Sequence, residues 1–170
     1  MEASTAALAV ACVAAFGLTP LAALAVGFCA LLVTLSAIDV EHRIVPNRIV
    51  LPAAVVVLAT RTLLDPSVEW ALGAAGAAGL LFMAVLAYPK GLGMGDVKLA
   101  LVLGAMLGAT VSVALFIGFL AALVPAVVLL SRHGSAARKM AVPLVPFLSL
   151  GAVIALFFGE RLLDRYLTLF

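Results

Sequence analysis

Of the eight acidic residues in this 170-residue chain, Glu2, Asp65, Glu69, Glu160 and Asp164 fall near the termini or in polar breaks, and Glu41 sits among His42, Arg43 and Arg48. Asp39 and Asp96 remain. Asp39 follows the apolar run that ends at Ile38, and Asp96 closes Gly93-Met94-Gly95-Asp96 just before another apolar run. Each carboxylate is therefore expected at a membrane boundary, where ionisation is costly and an acid is a functional candidate. Between them lie two apolar stretches, an even number of crossings, so both belong to the same face. Two carboxyls sharing one proton can hydrolyse a peptide: one takes a proton from water while the other protonates the scissile carbonyl. Residue type and topology leave three readings open: such a dyad, helix-end capping with loop charges, or an ion or proton pathway.

The neighbours sharpen the picture. Gly93 and Gly95 remove side chains on either side of Met94, which lets the backbone bend sharply and a peptide approach Asp96. Pro46 and Asn47 are expected to end the loop after Asp39 and start the next helix. Lys98 reads equally as a snorkelling interface residue and as part of the site. His42 and His133 lie in basic loops and read as solvated. Thr34 and Ser36 are suited to hydrogen bonds with a neighbouring helix or backbone and receive no catalytic role. Cys12 and Cys29 sit inside apolar runs with no third ligand nearby, so packing is the expected role and no metal site is expected.

The elements that must hold these residues are membrane helices. Apolar residues make up 66% of the chain and charged ones 11%, against roughly 25% charge in a soluble domain; the mean hydropathy is +1.34. A soluble enzyme, a disordered chain and a collagen-like repeat are excluded. The net charge of +2 is too small to suggest nucleic-acid binding. The expected class is all-α and polytopic, with six to seven transmembrane helices. The spans are read at about 4–18, 20–38, 49–64, 70–88, 99–130 and 143–159, with the fifth stretch broken near Gly108 to Ser112. Residues 160–170 suit an interfacial helix. The first residues lack the basic region of a signal peptide, so the first helix is expected to be retained. Arg43, Arg48, Lys90, Lys98, Arg132, Arg138 and Lys139, seven of the ten basic residues, fall in the alternate loops 39–48, 89–98 and 131–142, which marks those loops as cytoplasmic. Gly73, Gly76 and Gly79 in one helix, and Gly104 with Gly108 in another, are placed for close helix contact.

Asp39, followed after five residues by Val45-Pro46-Asn47, and then by Gly93-Met94-Gly95-Asp96-Val97-Lys98 two helices later, resembles the prepilin peptidases, membrane aspartic proteases of the GxGD type. Val142-Pro143-Leu144-Val145-Pro146-Phe147, followed by Leu148-Ser149-Leu150-Gly151, is similar to the proline-rich C-terminal segment of that family, without its usual glycine after the aromatic. The resemblance spans about residues 21–159 and implies a single integral-membrane peptidase domain over 1–170. It makes Asp39 and Asp96 the catalytic pair, with Gly93, Gly95, Lys98, Pro46 and Asn47 as the supporting loops.

The resemblance also implies a substrate: a type IV prepilin or pilin-like precursor whose short basic leader precedes an apolar helix. Membrane lipid is the other expected partner. No metal or organic cofactor is expected, and the oligomeric state is left open. The implied location is the inner membrane, with the active site on its cytoplasmic side. Larger members of the family carry a cytoplasmic insert with zinc-binding cysteines and also methylate the product. Here the first polar loop is short and has no cysteine, so methyltransfer is not expected. The alternative is a small transporter or proton channel using the two acids as a relay, although a relay should place acids on both faces or mid-span. A presenilin-like protease fits less well, because Asp39 follows Ile38 rather than a tyrosine.

Overall fold

The computed structural model describes residues 2–89, 92–133 and 143–168. Seven α-helices are seen among them: α1 (Glu2–Phe16), α2 (Pro20–His42), α3 (Asn47–Leu64), α4 (Glu69–Ala87), α5 (Met94–Leu107), α6 (Val111–His133) and α7 (Val145–Leu167), with one 3₁₀ turn at Gly108–Thr110. The chain is all-helical, as its composition requires. By length and composition five segments can cross a membrane, beginning at Pro20, Asn47, Glu69, Met94 and Val145, while α1 is a shorter apolar helix. The segment starting at Met94 contains the break between α5 and α6. There Gly108 takes a φ of +57°, a left-handed conformation that glycine adopts without a Cβ clash.

Local chemistry sets most of the helix ends. Thr19 caps α2 by accepting the Ala22 N–H at 3.2 Å, and Pro20 occupies the first turn, where its missing N–H costs nothing. α2 ends at Arg43, whose backbone is left-handed at φ 54° and whose N–H returns to the Asp39 carbonyl. Two boundaries differ from the sequence reading. α2 continues four residues past Ile38, and α5 begins at Met94 rather than residue 99, so Asp39 and Asp96 lie on helices and not in loops. In both cases the apolar count stops where membrane burial stops, while the backbone ladder runs on. α7 is likewise unbroken to Leu167, which makes residues 160–167 its last turns instead of a separate interfacial helix.

Packing follows the small residues. α4 and α5 run side by side, as do α6 and α7; α2 rests on α1 and α7, and α3 on α5. A Cβ on Gly73 or Gly104 would collide with the facing backbone, and Gly118 and Gly151 make a similar close approach between α6 and α7. Gly76 and Gly79 face open space, so only the first glycine of that row is used in contact. Cys12 and Cys29 are buried free thiols with their sulfurs 3.8 Å apart, packing α1 onto α2 as expected. The core centres on Phe28, Leu32 and Leu35 of α2 with Leu99, Leu103 and Met106 of α5 and Leu148 of α7. Large apolar side chains elsewhere, such as Leu72, Phe116 and Val124, are exposed, which suits a lipid surround.

Candidate active site

Three helix termini meet at one end of the bundle: the last turn of α2, the first turn of α5 and the first turn of α7. Asp39 is buried, with 7% of its surface exposed, and its Oδ2 accepts the backbone N–H of Val145 at 3.2 Å. Val145 is the first residue of α7, where N–H groups lack helical partners and the helix dipole favours a negative charge. Asp96 is half-buried at the third position of α5, and its Oδ2 accepts the Gly93 N–H at 3.1 Å, one arm of a capping box. The Asp39 carboxylate lies near enough for its charge to act on Asp96, and the Arg43 guanidinium near enough to act on Asp39. Two carboxylates 57 positions apart in sequence are thus brought to the same end of the bundle, near enough for one to feel the other's charge.

The supporting residues join the two halves of the motif. The Lys98 ammonium donates to the Asn47 side-chain oxygen at 2.6 Å, tying the start of α3 to α5. Lys98 therefore has a specific partner within the protein. Val45 packs so closely on Gly95 that a Cβ there would lie 2.8 Å from the valine side chain. Pro46 is the cap residue of α3, and Asn47 its first residue, as the Pro-Asn pair predicted.

The glycines work differently from expectation. Gly93 has an ordinary extended conformation, φ −90° and ψ 152°, and Gly95 is helical, so neither makes a sharp bend. Gly95 serves close approach to Val45, and Gly93 supplies the N–H that holds Asp96.

Val145 was not legible as a site residue, since its contribution is a backbone N–H; the prolines on either side of Leu144 and Val145 are the signal that a helix starts there. Ser36 does bond a neighbouring helix, donating to Ser149 of α7 at 3.0 Å, while Thr34 donates to its own helix at Ala30. His42 is exposed beside Glu41, 3.9 Å away. His133 closes α6. Lys90, Arg138, Lys139 and Val142 lie outside the described residues. Among the described residues no group of three His, Cys, Asp or Glu side chains gathers as a metal site.

The arrangement has the parts for acid–base chemistry on a water: two partly desolvated carboxyl groups, each with one oxygen anchored by a backbone N–H.

The chain is similar to known proteins. Residues 26–130 match the model of the type IV leader peptidase family. Over 148 residues the chain is 33% identical to a prepilin leader peptidase/N-methyltransferase of Bacillus subtilis (strain 168), a match covering 84% of this chain and 58% of that protein. The chain thus spans little more than half the length of this relative. No solved structure matches it. The matched stretch contains Asp39, Pro46, Asn47, Gly93, Gly95, Asp96 and Lys98 and stops short of α7. Two motif halves that meet in space and fall within one family match identify the chain as a member of the type IV leader peptidase family.

Proposed function

We propose that this protein is an aspartic endopeptidase that removes the leader from type IV pilin-like precursors, with Asp39 and Asp96 as its catalytic pair within one integral-membrane domain. What supports the proposal is that, in a chain of the type IV leader peptidase family, the buried Asp39 is anchored on the first turn of α7 and lies near enough for its charge to act on Asp96 at the start of α5.

In the active form the pair shares one proton. The ionised carboxylate takes a proton from water as the oxygen attacks the scissile carbonyl, and the protonated partner delivers its proton to the carbonyl oxygen. The tetrahedral intermediate collapses as the leaving amine gains a proton and the peptide C–N bond breaks. The newly protonated acid supplies that proton while the other carboxylate takes back a proton from the gem-diol, which leaves as the carboxylic acid product, and the pair is again singly protonated. Anchoring by the Val145 and Gly93 N–H groups holds both carboxyls ready for a water between them, which is the entropic part of the catalysis.

The substrate is a precursor whose apolar helix enters the membrane beside the enzyme and whose leader lies at the dyad's end. Arg43, Arg48 and Lys98 at that end support a cytoplasmic orientation in the inner membrane. Peptidase action without methyltransfer is proposed, because only residues 43–46 connect α2 to α3 and none is a cysteine. The deciding experiment is co-expression with a candidate prepilin. Loss of the leader on a gel is expected with the wild-type chain, and an unprocessed precursor with a well-inserted wild-type chain contradicts the proposal.

A further inference from the structure

Asp39 and Ser149 are the buried polar residues among those described, 7% and 6% exposed, and both sit on the seam between α2 and α7. Asp39 accepts the Val145 N–H. One turn back along α2 and one turn on along α7, the Ser36 hydroxyl donates to the Ser149 hydroxyl at 3.0 Å. The two contacts are successive rungs between antiparallel helices.

Ser36 and Ser149 bond each other and not the Gly93–Asp96 turn, and a single hydroxyl pair contributes little to the association of membrane helices. Its effect is on register. A slide or rotation of α7 that broke the serine rung would also carry the Val145 N–H away from Asp39. These are the two hydrogen bonds that join the first two turns of α7 to α2 among the described residues.

We infer that Ser36 and Ser149 are positioning residues for the peptidase, holding the first turn of α7 so that the Val145 N–H fixes Asp39 toward Asp96. This rests on the dyad proposed above and deepens it. With Oδ2 tied to Val145, Oδ1 is the oxygen left for water and for the shared proton. A loosened seam lets the carboxylate turn, which lowers the fraction of enzyme in the reactive geometry while leaving the substrate's binding surface as it was. The effect therefore belongs in kcat rather than in KM.

The test uses full-length chains in detergent micelles with a purified prepilin, comparing wild type, Ser36→Ala, Ser149→Ala, the double variant, Ser36→Thr and Asp39→Asn, with thermal unfolding measured for each. Ser36→Thr keeps the hydroxyl, and its methyl has room in a cleft of about 300 Å³ beside the rung, lined by Leu8, Val33, Pro146, Leu150 and Val153. Each alanine variant is expected to lose about tenfold in kcat with KM unchanged. The double variant should be no worse than either single one, because both remove the same bond, and Ser36→Thr should recover most of the activity. Ser36 is only half-buried, so its alanine variant stays informative if Ser149→Ala unfolds. Wild-type kcat in folded Ser36→Ala, with Asp39→Asn inactive, overturns the rung alone. Additive losses, or losses matched by the fraction unfolded, overturn it too. Cleavage by Asp39→Asn overturns the dyad and the rung together.

Discussion

At the end of the bundle that holds Asp39 and Asp96, two like charges face one another and each is tied to a backbone N–H. At the opposite end Arg61 lies with its guanidinium carbon 3.7 Å above the Trp70 ring, near Asp65, Glu69 and Glu160. Arg61 Nε donates to the Met106 carbonyl at 3.1 Å, the Trp70 indole N–H to the Asp65 carbonyl at 2.9 Å, and the Ala109 N–H to Glu69 at 3.0 Å. At this second end a guanidinium sits among the acids, and every named contact links one helix or turn to another. It is a clasp for α3, α4 and α5. A cavity of about 440 Å³ bordered by Arg61, Glu69, Trp70 and Glu160 lies here, far from the dyad, so room alone does not locate the chemistry. The proposed chemistry is assigned instead to the two partly buried acids that converge on backbone donors and fall within the family match.

The largest effect should come from breaking the dyad itself. Asp39→Asn and Asp96→Asn each remove a proton-transfer group and should lower prepilin cleavage by about 10³-fold or more, with normal amounts of inserted protein on a blot. A variant that keeps substantial activity removes that residue from the mechanism. Sidedness comes next and is all-or-none. Arg43→Cys should react with a membrane-impermeant thiol reagent only from the cytoplasm and Ser67→Cys only from outside, in chains whose native cysteines are replaced by alanine. Labelling of both from one side contradicts the division into two ends.

A smaller effect sharpens the contrast at the dyad's end. Gly95→Ala forces its Cβ against Val45, and overpacking of this kind costs about 1–3 kcal/mol. A roughly tenfold loss of kcat/KM is expected as the Asp96 turn shifts, and adding Val45→Ala should restore much of it. The mildest change in activity should follow damage to the clasp. Arg61→Ala loses a charge-assisted hydrogen bond and a cation–π contact, together about 2 kcal/mol. Thermal unfolding should fall accordingly, while cleavage per folded molecule stays within twofold. A large drop in kcat/KM per folded molecule would mean that the two ends are coupled.

The two candidate acids and the helical topology were more legible in the sequence than the contacts were. Asp39 and Asp96 stood out because an acid at the edge of an apolar run is costly, and parity put them on one face without any knowledge of packing. The spans themselves followed from hydropathy, since a membrane helix must satisfy its own backbone. Hydropathy marks where apolar side chains end, however, and hydrogen bonding decides where a helix ends. That is why α2 reaches His42 and α5 starts at Met94. The role of Gly95 was hidden because close approach depends on which residue arrives opposite it, here Val45. The Lys98–Asn47 bond joins residues from two different helices, and nothing in either local sequence announces its partner. Val145 acts through its main chain, which has no residue type to read. The clasp was invisible for a related reason: Arg61, Trp70 and Glu69 look like ordinary residues flanking a turn until α5 is packed against them.

The central claim is that the two carboxylates share one site, and cross-linking measures it with the least interpretation. Asp39→Cys and Asp96→Cys are introduced together into a chain with Cys12→Ala and Cys29→Ala, and the membranes are treated with a short bifunctional thiol reagent. A control chain carries Asp39→Cys with Ser112→Cys, which lies beyond the cleavage site and at the other end of the bundle. Cleavage of the peptide between helices at a single engineered protease site, placed in the connection between α3 and α4 after Asp65, reports whether the two halves remain joined on a gel. The 39–96 pair is expected to stay joined and the 39–112 pair to separate. Separation of the 39–96 pair, with both thiols shown to be reactive, would contradict the claim.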